Sequence, residues 1–137
     1  MTRDATARTR ARVEKIYAAY LAGRMPEVMD ALAEDVRWMS GETADVAPWC
    51  GERFGRAGVR DYFAALEAEC RILDYRIRRF IVDGDWAAVT ATIRVQLLRT
   101  GVEREFDKVD VLHLRDGQIA EFREYYDTGA LLGPRPA

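Results

Sequence analysis

The chain has 137 residues and a mass of 15.6 kDa, which predicts a single domain. Hydrophobic residues make up 49% and charged residues 32% of it, a composition that argues against intrinsic disorder. The net charge of −2 comes from 21 basic and 23 acidic residues that are mixed along the chain, which argues against a nucleic-acid-binding protein.

The sequence also bears on location and on metals. No segment approaches the roughly 20 consecutive apolar residues of a membrane helix, and the polar N-terminus lacks a signal-peptide apolar region. We therefore expect a cytoplasmic protein without a membrane partner. Cys50 and Cys70 form no CxxC pair, and His113 is the single histidine, so we expect no metal site.

The first half of the chain has helical periodicity. Apolar residues from Val13 to Leu21 recur every three or four positions, which predicts a first helix that Gly23 ends. Pro26 is suited to begin a short second helix, and a brief strand follows from Val36 to Met39. Residues 40–58 contain five glycines or prolines and are predicted to form an irregular loop.

The second half has strand character after a third helix, whose apolar face runs from Val59 to Cys70. Four segments rich in β-branched and aromatic residues are separated by tight-turn sequences. They cover residues 72–82, 86–98, 104–115 and 118–126. In the segment 72–82 the apolar residues change from odd-numbered to even-numbered positions near Arg78-Arg79. One extra residue there would explain the change, so we predict a β-bulge that curves the sheet.

Helices first and hairpin-connected strands second predict an α+β domain with a mostly antiparallel sheet. We expect residues 8–132 to form the ordered core and residues 133–137 to form a frayed tail.

The register of the last hairpin decides which side chains share a face. A two-residue Asp116-Gly117 turn would place Asp110 opposite Arg123, whereas a three-residue loop would place it opposite Phe122. We prefer the three-residue loop because it collects apolar side chains on one face. These are Leu112, Leu114, Phe122 and Tyr126.

Two carboxyl groups are the most informative feature of that face. In the preferred register Asp110 and Glu124 are diagonal neighbours, roughly 7–8 Å apart. Burial and a nearby like charge both disfavour ionisation, so at least one of the two pKa values should rise. Such a pair can supply a general acid and a general base. The alternative is a structural pair in which Lys108, Arg76 or Arg78 binds one carboxyl.

Five segments together resemble the nuclear transport factor 2-like superfamily, and within it the SnoaL-like and ketosteroid-isomerase-related proteins. They are Tyr17–Gly23, Ala33–Trp38, Ala47–Gly51, Gly55–Val59 with Tyr62-Phe63, and Arg115–Ile119 running to Glu124–Thr128. The resemblance covers nearly the whole chain. It implies a curved sheet wrapped around helices to form a cone, an apolar cavity, and frequent homodimers through the outer sheet face.

The resemblance also implies roles for particular residues. Asp110 and Tyr17 align with the aspartic acid and tyrosine hydrogen-bond donors of ketosteroid isomerases, but the position of their base falls on Met39-Ser40. Glu124 aligns with an acidic residue of limonene-epoxide hydrolases, whose partner positions fall here on Ala91 and Ile93.

SnoaL-like cyclases use an acidic residue on these closing strands as acid or base, and this carry-over meets the fewest contradictions. Asp110, Glu124 and Tyr17 are therefore the candidate catalytic residues, although Tyr17 also fits a plain packing role on its apolar helix stripe.

Seven further residues are candidates for lining a ligand pocket. They are Trp38, Ser40, Trp49, Phe63, Leu112, Phe122 and Tyr126. The two tryptophans fit either a pocket mouth that stacks a planar ligand or a cap on the core. His113 has the opposite parity to Asp110, which places it on the convex face.

Three functions remain open on these grounds. The first is a cofactor-free isomerase or cyclase that performs acid–base chemistry on a hydrophobic carbonyl metabolite. The second is a module that binds a lipophilic ligand without chemistry, and the third is a dimerisation module of the same fold.

Overall fold

A computed structural model describes residues 2–41 and 43–133 of the chain. Within these residues four helices and six strands follow one another, with the longer strands in the second half. The helices are α1 (Thr2–Leu21), α2 (Met25–Asp30), α3 (Gly55–Glu69) and α4 (Thr128–Leu132). The strands are β1 (Leu32–Ser40), β2 (Gly51–Phe54), β3 (Cys70–Asp83), β4 (Trp86–Leu97), β5 (Glu103–Arg115) and β6 (Gln118–Tyr126).

The strands form one curved, unclosed sheet in the order β2-β1-β6-β5-β4-β3. Every neighbouring pair is antiparallel except β1 and β6, which run parallel. The predicted α+β architecture with a mostly antiparallel sheet is thereby confirmed.

The core lies between the helices and the concave face of the sheet. Val13 of α1 and Val59 of α3 are fully buried, as are Val89 and Leu112 of the sheet. Burying each such side chain stabilises the fold by about 1.5–3 kcal/mol, which is what holds α1 and α3 over this face.

The β-bulge predicted near Arg78-Arg79 is present. Ile77 pairs with Ala91 and Arg79 pairs with Thr90, which leaves Arg78 as the extra residue of β3. A second extra residue lies earlier in the strand, at Leu73. Extra residues of this kind bend the strand and increase its twist, which curves the sheet around the helices.

The preferred register of the last hairpin is wrong. Asp116 and Gly117 both have positive φ, 53° and 76°, and form a two-residue turn that pairs Arg115 with Gln118. An unpaired residue then follows at Ala120, so the pairing shifts by one position. The shift restores the parity that a three-residue loop would have given, so the face was assigned correctly although the turn was not.

The irregular loop predicted over residues 40–58 is too long. Residues 51–54 form β2, which pairs antiparallel with β1, and α3 begins at Gly55. Gly51 and Gly55 mark the two ends of β2 with φ of 101° and 71°. We counted these glycines as loop residues, whereas they act as the bends on either side of a short strand.

Two helical segments near the ends of the described residues lie beyond the elements predicted from periodicity. Helix α1 begins at Thr2, although its first ten residues carry almost no apolar periodicity. A short helix, α4, follows the last strand, and the Asp127 side chain caps it by accepting hydrogen bonds from the backbone N–H groups of Gly129 and Ala130. Of the tail predicted to be frayed, residues 134–137 lie outside the described residues.

Candidate functional site

A row of polar side chains crosses the concave face from strand to strand. Ser40 of β1 pairs with Glu124 of β6, and Glu124 pairs with Asp110 of β5. The two carboxyl groups are therefore directly opposite one another, one step closer than the diagonal arrangement that we expected. Because alternate strand residues share a face, Lys108 lies beside Asp110 on the same side of β5.

Glu124 is held by three donors. Ser40 Oγ and Tyr62 Oη both donate to its Oε1, the latter at 2.6 Å, and Lys108 Nζ donates to its Oε2 at 2.7 Å. Burial opposes ionisation of this carboxyl, but the lysine charge and the three hydrogen bonds outweigh it and lower the pKa of Glu124. Glu124 is therefore a carboxylate at neutral pH.

Asp110 is in a different electrostatic position. Its side chain is 2% exposed, and Tyr17 Oη donates a hydrogen bond to its Oδ2. Its Oδ1 lies 3.2 Å from Lys108 Nζ without hydrogen-bond alignment. Burial raises the pKa of Asp110 to about 6, since the attraction of Lys108 and the hydrogen bond only partly oppose it and the Glu124 charge adds to it. The expected rise is thus found at Asp110, which titrates close to neutral pH.

Lys108 is the cation between the two carboxyl groups. Its side chain is 10% exposed, and its Nζ lies 5.2 Å from the centre of the Tyr75 ring. Burial lowers the pKa of a lysine, but here the two carboxylates outweigh burial and raise the pKa of Lys108 well above its usual value. Lys108, Asp110 and Glu124, which we call the Lys108 cluster, therefore carry one positive and up to two negative charges.

The Lys108 cluster lies at the wall of a largely apolar hollow between the helices and the sheet. This first hollow encloses about 480 Å³, counted to include its open mouth. Seven of the predicted site residues line it. They are Tyr17, Trp38, Phe63, Asp110, Leu112, Phe122 and Glu124.

The other three predicted pocket residues lie nearby but not in the first hollow. Ser40 is fully buried and its hydroxyl is bonded to Glu124. Trp49 and Tyr126 line a second hollow of about 430 Å³, again including its mouth, where Trp49 Nε1 donates to Tyr126 Oη at 2.8 Å. His113 lies on the convex face as predicted, with its Nε2 2.8 Å from Asp85 Oδ2 and its ring stacked on Trp86.

Sequence reasoning missed four residues that line both hollows. Lys108 was considered only as a structural partner, and Tyr20, Tyr62 and Tyr75 were not assigned to the site. A signal was available for Lys108, because it has the same strand parity as Asp110 and so must share its face. Arg76 and Arg78 are the other two suggested partners. Arg76 instead forms ion pairs with Asp74 and Glu105, and Arg78 donates a hydrogen bond to Thr92.

Two buried polar atoms of the first hollow's lining residues have no hydrogen-bond partner among the described residues. They are Trp38 Nε1, a donor, and Asp110 Oδ1, an acceptor or a protonation site. Trp38 is 5% exposed and its ring stacks on Phe122 with centroids 3.8 Å apart. Buried polar atoms without partners are uncommon, and a bound ligand is one way to satisfy them.

Solved structures of similar fold support this architecture. A nuclear transport factor 2-like protein of Burkholderia xenovorans is 25% identical, with 92% of this chain and 94% of that chain covered and a TM-score of 0.79. A nuclear transport factor 2-like protein of Burkholderia thailandensis is 21% identical, with 93% of this chain and 98% of that chain covered and a TM-score of 0.82. TerC, which was crystallised with polyporic acid, is 24% identical over 90% of this chain and 95% of its own, with a TM-score of 0.78.

The chain was also compared with curated proteins and with protein-family models. No curated protein matches the chain. Across residues 2–41 and 43–133, no helix is both long enough and apolar enough to pass through a membrane. The model of the SnoaL-like domain matches residues 13–122, and the chain therefore belongs to the SnoaL-like domain family, within the nuclear transport factor 2-like superfamily.

Proposed function

We propose that the protein is a cofactor-free acid–base enzyme of the isomerase or cyclase type, acting on a hydrophobic carbonyl compound. The observation that carries this proposal is Asp110, a carboxyl with a pKa near 6 that is buried at the wall of an apolar hollow. A general base works best when its pKa is close to the operating pH, and Asp110 meets that condition.

The proposed step is a proton transfer from carbon. The Asp110 carboxylate takes a proton from the carbon beside the substrate carbonyl at Oδ1, the oxygen that has no hydrogen-bond partner. The C–H electron pair becomes the C=C bond of an enolate as the carbonyl π pair moves onto the oxygen. In an isomerase, the carbonyl re-forms as Asp110 returns the proton to another carbon. In a cyclase, the enolate carbon bonds to a second carbonyl carbon of the same molecule, whose π pair moves to its oxygen, and Asp110 returns the proton to that alkoxide. Tyr17 holds Oδ2 in place, and Lys108 stabilises the negative charge as it moves to the substrate.

The two carboxyl groups differ in their hydrogen bonds and in the direction of their pKa shifts, which supports different roles for them. Glu124 already accepts hydrogen bonds from three internal donors, and its lowered pKa keeps it ionised. We therefore assign the proton transfer to Asp110 and propose that Glu124 fixes the ammonium of Lys108 beside it. Of the two carboxyl groups that the sequence offers as acid and base, only Asp110 transfers a proton in this proposal.

Exchange of carbon-bound protons tests this proposal. A panel of cyclic ketones and hydroxyquinones is incubated with the protein in D₂O, and deuteration beside the carbonyl is followed by NMR. Asp110→Asn removes the base while keeping the shape, so we expect the exchange rate to fall at least about 100-fold. Asp116→Asn, in the turn of the same hairpin, is the matched control and should exchange at the wild-type rate. An undiminished rate in Asp110→Asn would overturn the proposal.

A second candidate is a binding protein of the same fold without chemistry. Glu124 already accepts hydrogen bonds from three internal donors, and these bonds leave its carboxylate no role toward a ligand. This observation favours the binding protein. TerC, which has a similar fold, was crystallised with polyporic acid, which supports a small-molecule ligand in either case. Native mass spectrometry of a co-purified ligand that the protein leaves unchanged, without proton exchange in the panel above, would favour this candidate.

We also propose a homodimer through the convex sheet face. Ile81, Trp86 and Tyr125 point away from the Lys108 cluster by strand parity, and each is about half exposed. Large apolar side chains grouped on one face are typical of an interface. Analytical ultracentrifugation should therefore find a dimer that Ile81→Glu dissociates, and a wild-type monomer at tens of micromolar would contradict this proposal.

A further inference from the structure

We propose that the second hollow is an additional ligand subsite, so that the protein takes a two-part ligand. A ring bearing a hydroxyl and a carbonyl group would occupy the first hollow, and an apolar chain attached to it would occupy the second. This inference deepens the proposed function, on which it rests for the choice of the first hollow as the reacting site.

The two hollows meet at the Lys108 cluster. Five residues line both of them, and these are Tyr20, Tyr62, Tyr75, Lys108 and Glu124. The hollows are therefore neighbours that share a wall. Lys108 reaches that wall on a flexible four-carbon stem, which allows its ammonium to shift while staying near a carboxylate.

The first hollow has polar atoms to satisfy. Trp38 Nε1 is a donor without an acceptor, and Asp110 Oδ1 has no aligned hydrogen-bond donor, although Lys108 Nζ lies 3.2 Å from it. A ligand ring that offers a carbonyl oxygen to the indole and a hydroxyl to the aspartate satisfies both. The Trp38 and Phe122 rings, which stack on one another and both line the first hollow, make the lining beside these polar atoms aromatic.

The second hollow has the opposite character. Beyond the shared wall its lining is mainly aliphatic or aromatic and includes Ile93, Val95, Phe106 and Leu131. Its polar members Trp49 and Tyr126 are bonded to one another at 2.8 Å. Among the described residues, the buried polar side-chain atoms without partners include none from this set. Beyond the shared wall this lining therefore offers few hydrogen-bonding groups to a polar ligand group, whereas an alkyl group would lose contact with water.

Binding of a homologous series tests the inference without requiring turnover. The probes are 2-hydroxy-1,4-naphthoquinones whose 3-alkyl chain grows from methyl to octyl, and their dissociation constants are measured by tryptophan quenching. Burial of each methylene contributes about 0.8 kcal/mol, so Kd should fall about fourfold per added carbon until the second hollow is filled. A chain-length series without any trend would overturn the inference.

Two variants test where the alkyl chain of the probe binds. Val95→Phe and Leu131→Trp reduce the space of the second hollow from different elements, so each should abolish the gain from the longer chains while leaving the methyl compound within about twofold. Ile119→Phe, which lies in the first hollow only, should weaken all members of the series equally. Thermal melts show that the variants are folded, and equal weakening of methyl and octyl compounds by both second-hollow variants would place the chain elsewhere.

The outcome is separable from that of the proposed function. If the chain-length trend is present and no proton exchange occurs, the subsite stands and the catalytic proposal fails. If exchange depends on Asp110 but the trend is absent, the reaction stands and the two-part ligand does not.

Discussion

Replacing Lys108 with methionine should destabilise the protein by roughly 3–5 kcal/mol at neutral pH, because the change leaves buried carboxylates without their cation. Lys108 Nζ lies 2.7 Å from Glu124 and 3.2 Å from Asp110, and its side chain is 10% exposed. Methionine fills most of the space of the lysine stem, so the loss is chiefly electrostatic. Urea unfolding followed by circular dichroism measures it.

Two further variants make this result interpretable. Lys108→Met combined with Glu124→Gln removes one charge of each sign, so the double variant should be more stable than Lys108→Met alone. Arg94→Met breaks an exposed pair with Glu103 at 2.8 Å and should cost less than about 1 kcal/mol. If Lys108→Met were as mild as Arg94→Met, the cation would not hold the two acids together.

Asp110→Asn should change how stability depends on pH. The pKa of Asp110 is about 6 in the folded protein, against an ordinary value of 3.8, so the folded state holds this proton more tightly than the unfolded chain does. Wild-type stability therefore carries a contribution that is present at acid pH and is lost as pH rises through about 6. The asparagine does not titrate, so the variant lacks this loss.

The expected size follows from the same pKa change. A rise from 3.8 to about 6 corresponds to about 3 kcal/mol. The free energy of unfolding of Asp110→Asn should therefore improve relative to wild type by up to this amount between about pH 4 and about pH 8. Parallel pH profiles for the two proteins would show that Asp110 titrates normally.

Strand parity made the face of the site predictable from the sequence. Because side chains alternate along a strand, the sequence predicts that Asp110 and Glu124 share a face, and they do so although the turn differs from the predicted one. Two arrangements, a longer loop or a shorter turn with an extra residue at Ala120, give the same parity. Sequence periodicity cannot separate them, because it registers the total number of residues and not where the extra one lies.

The contacts across elements were not predictable in the same way. Tyr62 lies on the apolar face of α3, which predicts burial but not that its hydroxyl reaches Glu124, 62 residues away in the chain. Strand β2 is four residues long, begins at Gly51 and is followed directly by Gly55, so its sequence carries the same turn signals as a loop. Lys108 could have been placed on the concave face by parity, yet only the fold shows that it lies between both acids.

The proposed acid–base function requires that two neighbouring carboxyl groups differ in protonation. Tyr62, Ser40 and Lys108 supply hydrogen bonds that keep Glu124 ionised, whereas Asp110 receives one hydrogen bond and a misaligned ion pair. Two carboxyl groups on one apolar wall are thereby separated into a fixed anion and a proton-exchanging group. This separation is what an acid–base site in an otherwise apolar hollow requires.

The most direct test is an NMR titration of the side-chain carboxyl carbons in the uniformly ¹³C-labelled protein, with Asp110→Asn used to assign the Asp110 signal. We expect this signal to titrate near pH 6, while the Glu124 signal stays that of a carboxylate down to a pH below its ordinary pKa. An Asp110 signal that titrates at or below the ordinary value of 3.8 would contradict it.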